Sequence, residues 1–96
     1  MNIYLISQET VCGWDTHDSA IVAARSPDEA REVHPSEFVT HSRDGKWMGT
    51  YTRGRGEYTN ESSCWVPYRD RGKIKVELLG TTTREAGLIL SSFNAG

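Results

Sequence analysis

The hydrophobic positions of this chain fall into short runs of strand length. Residues 2–8 (NIYLISQ) place apolar side chains on both faces of an extended segment, which predicts an inner strand of a sheet. Residues 20–24 (AIVAA) form a second apolar run, and residues 73–79 (KIKVELL) alternate as in a strand with one exposed face. Residues 88–93 (LILSSF) form the last strand, and their apolar start predicts that it is largely buried.

One segment carries the signals of a helix. Ser26 is followed by proline and then by Glu29, a pattern typical of a capping box at a helix N-terminus. Pro35 disfavours helical backbone at the residue before it, so the helix ends there. The sequence therefore predicts a two-turn helix directly after the second strand, with Ala30 and Val33 on the face that packs against the sheet.

Residues 40–72 differ from the rest in composition, being rich in Gly, Ser, Thr, Arg and Tyr. Within this insert, residues 46–52 (KWMGTYT) have strand composition, and RGRG at 53–56 is a turn signal. Residues 57–59 can return as the partner strand of a hairpin, and residues 64–66 before a proline can form a short edge strand.

The predicted fold class is α+β. The order β-β-α-insert-β-β gives a small sheet of four to six strands with one short helix, and the length of 96 residues predicts a single domain, 1–96, containing the insert at 40–72. A sheet covered by only one short helix leaves apolar surface exposed, so the pattern is compatible with a homo-oligomer.

Charge is divided unevenly along the chain. Residues 41–75 hold eight basic and four acidic side chains, whereas the remainder holds three basic and nine acidic ones, for a net charge of −2. A sequence pI of about 5.9 lacks the basic footprint of a nucleic-acid-binding domain, which disfavours nucleic acid as a partner. No run approaches the ~20 apolar residues of a membrane helix, and no secretory leader pattern is visible, so we expect a cytoplasmic protein with no membrane partner.

The Cys and His residues give no metal or catalytic signature. Cys12 and His17 form one Cys-x4-His pair, but zinc sites usually need a second short pair, which is missing. With Asp15 nearby, the same segment could supply a cysteine nucleophile, although such groups usually converge from separate elements. In the absence of an export signal, Cys12 and Cys64 are predicted to be reduced thiols. We therefore predict no metal, no cofactor and no catalytic residue.

The insert contains the candidate ligand site, because aromatic residues alternate there with arginines. Guanidinium groups bind phosphate and aromatic faces stack on bases, so the combination suits an anionic ligand that contains a ring. Asp15 in the preceding loop could accept ribose hydroxyls. The alternative is structural, with the rings filling the core and the arginine stems lying over them. The predicted ligand-binding residues are Trp14, Asp15, Trp47, Tyr51, Arg53, Arg55, Trp65 and Arg69.

A second candidate surface is acidic. Asp and Glu residues concentrate around the helix, and a negative surface could imitate DNA and bind a basic groove of another protein. The simpler interpretation is a solvated helix with acids placed favourably at its N-terminus. These acids are Asp15, Asp18, Asp28, Glu29, Glu32 and Glu37.

Two segments together resemble a family of small bacteriophage and prophage proteins. They are residues 13–35 (GWDTHDSAIVAARSPDEAREVHP) and residues 73–96 (KIKVELLGTTTREAGLILSSFNAG). The resemblance brings no catalytic residues with it, but it implies the cytoplasm of an infected bacterium. Small phage proteins often disarm host immunity. We therefore predict a non-enzymatic counter-defence protein that sequesters a nucleotide-like immune signal. The alternatives are an anti-CRISPR-like inhibitor of a host defence complex and an enzyme acting on a nucleotide signal.

Overall fold

A computed structural model describes residues 1–94 except 12–15, 37, 52–55 and 62–63, together with the backbone but not the side chains of residues 93 and 94. The described residues form seven strands, one α-helix and one 3-10 helix. In chain order these are β1 (Asn2–Ser7), β2 (Thr16–Ala24), α1 (Pro27–Ala30), β3 (His41–Arg43), β4 (Lys46–Thr50), β5 (Glu57–Thr59), the 3-10 helix (Tyr68–Lys73), β6 (Lys75–Thr81) and β7 (Gly87–Asn94).

The strands form two antiparallel sheets. The larger has the order β6-β1-β2-β7, which confirms the prediction that the first strand is internal. Tyr4 lies opposite Val22 and Ile6 opposite Ala20, so these buried side chains share the inner face. The fold is α+β or mostly β, and its seven strands exceed the predicted four to six.

The smaller sheet has the order β3-β4-β5 and is built from the insert. The predicted hairpin of β4 and β5 is present. Strand β3 was not predicted, because His41–Arg43 contains no apolar run. It pairs with β4 through a two-residue turn at Asp44 and Gly45, which both have positive φ (53° and 76°). Asp-Gly is a preferred pair for such a turn because both central residues need positive φ.

The helix begins as predicted but is shorter. Ser26 Oγ accepts a hydrogen bond from the Glu29 backbone N–H at 3.2 Å, and Pro27 is the first helical residue. The helix ends at Ala30, and i→i+3 bonds from Glu32 to Glu29 and from Val33 to Ala30 continue it only as tight turns. The prediction of two α-helical turns was therefore wrong. Ala30 is nonetheless buried and Val33 packs against the core, as the spacing predicted.

The insert contributes to the main core. Trp47, Trp65 and Val66 pack in the same hydrophobic cluster as Tyr4 and Val22 of the large sheet. Trp47 Nε1 donates a hydrogen bond to the Val66 carbonyl at 2.9 Å, which satisfies a buried polar pair. Residues 64–66, predicted as a possible edge strand, instead form a bend that carries two side chains into the core.

Candidate ligand-binding site

Two of the predicted ligand-binding residues are core residues. Trp47 is 2% exposed and Trp65 is 1% exposed, so neither ring presents a face to solvent. The expectation that the rings of the insert converge on one open surface was wrong for this pair. Large apolar side chains are scarce in a chain with 36% hydrophobic residues, and burial of its largest rings stabilises the fold most.

A buried histidine joins the two tryptophans. The His34 ring packs edge-on against Trp47, with ring centroids 5.1 Å apart, and lies 6.3 Å from both Trp65 and His17. Its Nδ1 accepts a hydrogen bond from the Ser36 backbone N–H at 2.9 Å, which fixes the neutral ring. Burial, with a smaller contribution from His17, lowers the pKa of His34 to about 3. Burial also lowers the pKa of His17, so both imidazoles belong to the core.

An exposed aromatic cleft lies at the other end of strand β4. Tyr51 is 53% exposed, and its ring centroid is 4.9 Å from that of Tyr58, with the rings tilted by 49°. Phe38, which is 67% exposed, and Thr50 complete the lining of a cleft of about 340 Å³. We call these four residues the aromatic cleft. Of the predicted site residues that the structure describes, Tyr51 is the one that lies in it.

Gly49 allows the cleft to form. A Cβ atom at this position would lie 2.5 Å from Tyr58 Cζ and 2.7 Å from the Phe38 carbonyl oxygen. The Tyr58 ring and the backbone of residue 38 therefore approach the strand through space that any other side chain would occupy. Phe38 and Tyr58 were absent from the predicted site. Gly49, two residues after Trp47 and two before Tyr51, was the sequence feature that could have indicated another segment packing closely against this strand.

A polar network on the small sheet fixes the strands beside the cleft. Thr40 Oγ1 bonds to Thr50 Oγ1 at 3.1 Å and to His41 Nδ1 at 2.8 Å. His41 Nε2 bonds to the Glu57 carboxylate, which also pairs with Arg43 Nε at 2.6 Å. The network connects β3, β4 and β5, so it holds Thr50 in position at the cleft.

Arg69 lies in a different place. It lines a groove of about 560 Å³ together with Asp28 of α1, Arg31 immediately after α1, and Arg71 of the 3-10 helix. Arg71 bonds to Glu32 at 2.9 Å and stacks over the Tyr68 ring at 4.0 Å, and Arg31 bonds to the Ile74 carbonyl and to Asp28. The structure thus separates Arg69 from Tyr51, and the groove's carboxylates already pair with two of its three guanidinium groups.

Four predicted residues lie outside the described ranges, namely Trp14, Asp15, Arg53 and Arg55. In the sequence the two arginines stand between Tyr51 and Gly56. The Tyr51 backbone N–H donates to the Gly56 carbonyl at 3.1 Å, so Gly56 lies next to Tyr51 of the aromatic cleft.

Within the described part of the chain, no group of three or more His, Cys, Asp or Glu side chains is arranged to hold a metal ion. No helix among the described residues has the length and apolar character needed to cross a membrane. Comparison with protein-family models, curated proteins and solved structures finds no match for this chain. The resemblance to phage proteins therefore stays a prediction.

Proposed function

We propose that this chain is a non-enzymatic binding protein of phage type that captures a small anionic, nucleotide-like immune signal at the aromatic cleft. The observation that carries the proposal is the exposed Tyr51 ring, held beside Tyr58 and Phe38 in a concave surface. Exposed aromatic faces bind bases by stacking, and each stacked base contributes about 1–3 kcal/mol.

Two arginines that follow Tyr51 in the sequence suit a ligand with a negative charge. Arg53 and Arg55 occupy the connection whose two ends meet at Tyr51 and Gly56. Two guanidinium groups within four residues can pair with phosphate oxygens, which would add an electrostatic contribution to ring stacking. The Arg69 groove supports the proposal less well, because Arg31 and Arg71 are already engaged by carboxylates.

A close contact and a hydrogen bond hold the framework of the cleft together. Tyr58 packs over Gly49, and the Thr40–Thr50 bond joins the segment before β3 to the end of β4. A preformed surface loses less conformational entropy when a ligand binds, which leaves more of the contact energy as affinity.

A thermal-shift screen with cyclic mono-, di- and trinucleotides tests the proposal. A ligand present at 100 times its dissociation constant stabilises the folded state by about 2.7 kcal/mol. For a domain of this size that corresponds to a rise in Tm of roughly 10–20 °C. If no member of the panel raises the Tm of the wild-type protein, nucleotide capture is contradicted.

Variants assign the site once a ligand is found. Tyr51→Ala removes the exposed ring and is expected to weaken binding about 5- to 150-fold, the equivalent of one stacking contact. Leu79→Ala is the matched control, because Leu79 is 51% exposed and lies on β6, away from the cleft. The double variant Arg53→Gln/Arg55→Gln is expected to weaken binding most at low salt. Equal affinities for Tyr51→Ala and Leu79→Ala would place the ligand elsewhere.

An inhibitor of a host defence complex is the second candidate, and the same cleft favours it because exposed tyrosines are enriched in protein interfaces. Co-purification with a host protein, lost in Tyr51→Ala, would support this function in place of capture. An enzyme acting on a nucleotide is favoured by the hydroxyl–imidazole–carboxylate chain of Thr40, His41 and Glu57. Recovery of the bound ligand unchanged after denaturation would contradict the enzyme.

A further inference from the structure

A second cavity lies between the insert and the start of strand β7. Its volume is about 550 Å³, within the range of roughly 300–1,000 Å³ that is usual for small-molecule pockets. The segment between α1 and β3, strand β4 and the first residues of β7 form its walls. Among the described residues, none lines both this cavity and the aromatic cleft. The cavity is therefore separate from the site proposed above.

Apolar side chains form part of these walls, and a bulge in β7 contributes to them. Leu88 lies opposite Val22 and Leu90 opposite Ile21, so Ile89 is the extra residue of a β-bulge. In a regular strand consecutive side chains point to opposite faces, but here both Leu88 and Ile89 line the cavity. A molecule bound in the cavity would bury apolar surface against the walls. Their other large apolar residues are Val33, Val39 and Trp47.

The polar side chains of the lining mostly have protein partners already. Glu32 pairs with Arg71 at 2.9 Å, and Ser36 Oγ accepts a backbone N–H. Thr40 and His41 bond to each other and belong to the network of the small sheet. No lysine or arginine is among the described lining residues. The described lining thus offers no unpaired charge to an ion, which favours an uncharged ligand.

His34 is the polar residue of the lining that keeps an unused hydrogen-bond donor. It is 4% exposed, and its Nδ1 accepts the Ser36 backbone N–H at 2.9 Å. In the neutral ring the proton is therefore on Nε2, which can only donate. Nε2 makes no hydrogen bond with the described residues, yet it is not among their fully enclosed polar atoms without a partner, so it reaches open space. The open space that His34 lines is the cavity.

We propose that this cavity binds a small uncharged molecule that has an apolar body and one acceptor oxygen, as in a ketone, an ester or an amide. The apolar body contacts Val33, Val39 and Ile89, and the oxygen accepts from His34 Nε2. An apolar ligand without that oxygen would cover the donor and leave it unpaired, so the acceptor contributes selectivity as well as affinity. The site does not depend on nucleotide capture at the aromatic cleft.

Two probes of the same shape test the proposal on the whole wild-type chain. Benzophenone has a carbonyl oxygen between its two rings, and 1,1-diphenylethylene has a CH₂ group in its place. In ¹H–¹⁵N NMR titrations, benzophenone is expected to shift the amide signals of Val39, Leu88 and Ile89. It is also expected to shift the Nε2–H signal of His34. The dissociation constant of the alkene is expected to be at least about fivefold higher, because the alkene covers the donor without accepting from it.

Two variants and a cross-link locate the probe independently. Ile89→Trp places an indole ring in the cavity and is expected to weaken benzophenone binding at least about tenfold. Leu90→Trp is the matched control, because the next residue along β7 is 63% exposed and does not line the cavity, and it is expected to bind as wild type does. Irradiation attaches bound benzophenone to neighbouring C–H bonds, and peptide mass spectrometry is expected to find the product at Val33, Val39 or Ile89.

Each other result overturns the proposal. The absence of shifts up to the solubility limit of benzophenone would show that the cavity does not take such a molecule. Equal dissociation constants for the two probes would show that the His34 donor contributes nothing. Shifts or cross-links confined to Phe38, Tyr51 and Tyr58 would place the probe in the aromatic cleft, and equal affinities of the two tryptophan variants would place it outside the cavity.

Discussion

Substitution of Gly49 by alanine tests how tightly the aromatic cleft is built. Gly49 is a buried strand residue without positive φ, so space and not backbone conformation requires the glycine. The added methyl group would lie 2.5 Å from Tyr58 Cζ, 2.6 Å from Tyr58 Oη and 2.7 Å from the Phe38 carbonyl oxygen. Ordinary contacts begin near 3.4 Å, so both neighbours must move by about 0.7–0.9 Å.

The two neighbours differ in their freedom to move. The Tyr58 side chain is half-buried and can swing outward, into the cleft. The Phe38 carbonyl belongs to backbone that is held by hydrogen bonds from Phe38 N–H to Ser36 Oγ and from Thr40 N–H to the Met48 carbonyl. Overpacking of this kind destabilises by about 1–3 kcal/mol. Alanine offsets about 0.4–1 kcal/mol of that by reducing the entropy of the unfolded chain, so the expected net loss is roughly 1–2 kcal/mol.

Urea denaturation followed by circular dichroism measures this loss. With an m-value of about 1 kcal/mol/M, the midpoint of Gly49→Ala should fall by roughly 1–2 M. Gly80→Ala is the control, because a Cβ there meets nothing within 4 Å and alanine in a strand is favoured over glycine. We expect Gly80→Ala to be unchanged or slightly more stable than wild type.

Equal stabilities of Gly49→Ala and Gly80→Ala would contradict overpacking at Gly49. The absence of an interaction energy in the double variant Gly49→Ala/Tyr58→Ala would contradict it as well, since removal of the ring should relieve part of the overpacking. The remaining part, due to the Phe38 carbonyl, should persist in the double variant.

Three further predictions concern the core and the helix. The pKa of His34 is lowered from 6.5 to about 3 in the folded state, so proton binding favours the unfolded state. The free energy of unfolding should be at its full value above pH 6.5 and should fall by about 2 kcal/mol by pH 5, as measured by urea denaturation at each pH. In His34→Asn the free energy of unfolding should depend less steeply on pH. Trp47→Phe should lower the free energy of unfolding by about 1–2 kcal/mol more than Trp65→Phe. It leaves the buried Val66 carbonyl without its hydrogen-bond donor, whereas Trp65 Nε1 has no hydrogen-bond partner among the described residues. Equal urea midpoints for the two variants would contradict this prediction. Ser26→Ala should lower stability by about 1 kcal/mol through loss of the cap, and Ser26→Asp should retain it.

The local features of the fold could be predicted because short-range chemistry determines them. The cap at Ser26, the inner position of residues 2–7 and the β4–β5 hairpin follow from a few adjacent residues each, and the structure contains all three. The helix length could not be judged in this way: the helix ends at Ala30, and only i→i+3 bonds follow, although the next proline is at position 35. Strand β7 was expected to be largely buried, but its edge position leaves Leu90 exposed.

The candidate site was harder to predict because aromatic residues serve two purposes. Nothing in the local sequence separates Trp47, which is in the core, from Tyr51, which is on the surface four residues later. That separation depends on which face of β4 packs against the large sheet and on where coverage of that face ends. The contribution of Phe38 depends on a contact between residues eleven positions apart, made possible by the absence of a side chain at Gly49.

The tryptophans of residues 40–72 have a consequence for how this chain can be divided. This insert separates the two halves of the large sheet in the sequence, yet it supplies Trp47, Trp65 and Val66 to the hydrophobic core that they share. A variant in which a short glycine linker replaces residues 40–72 is expected to expose Tyr4 and Val22 to water and not to fold to the native state. The large sheet and the insert thus share one core, and they are expected to unfold in a single cooperative transition.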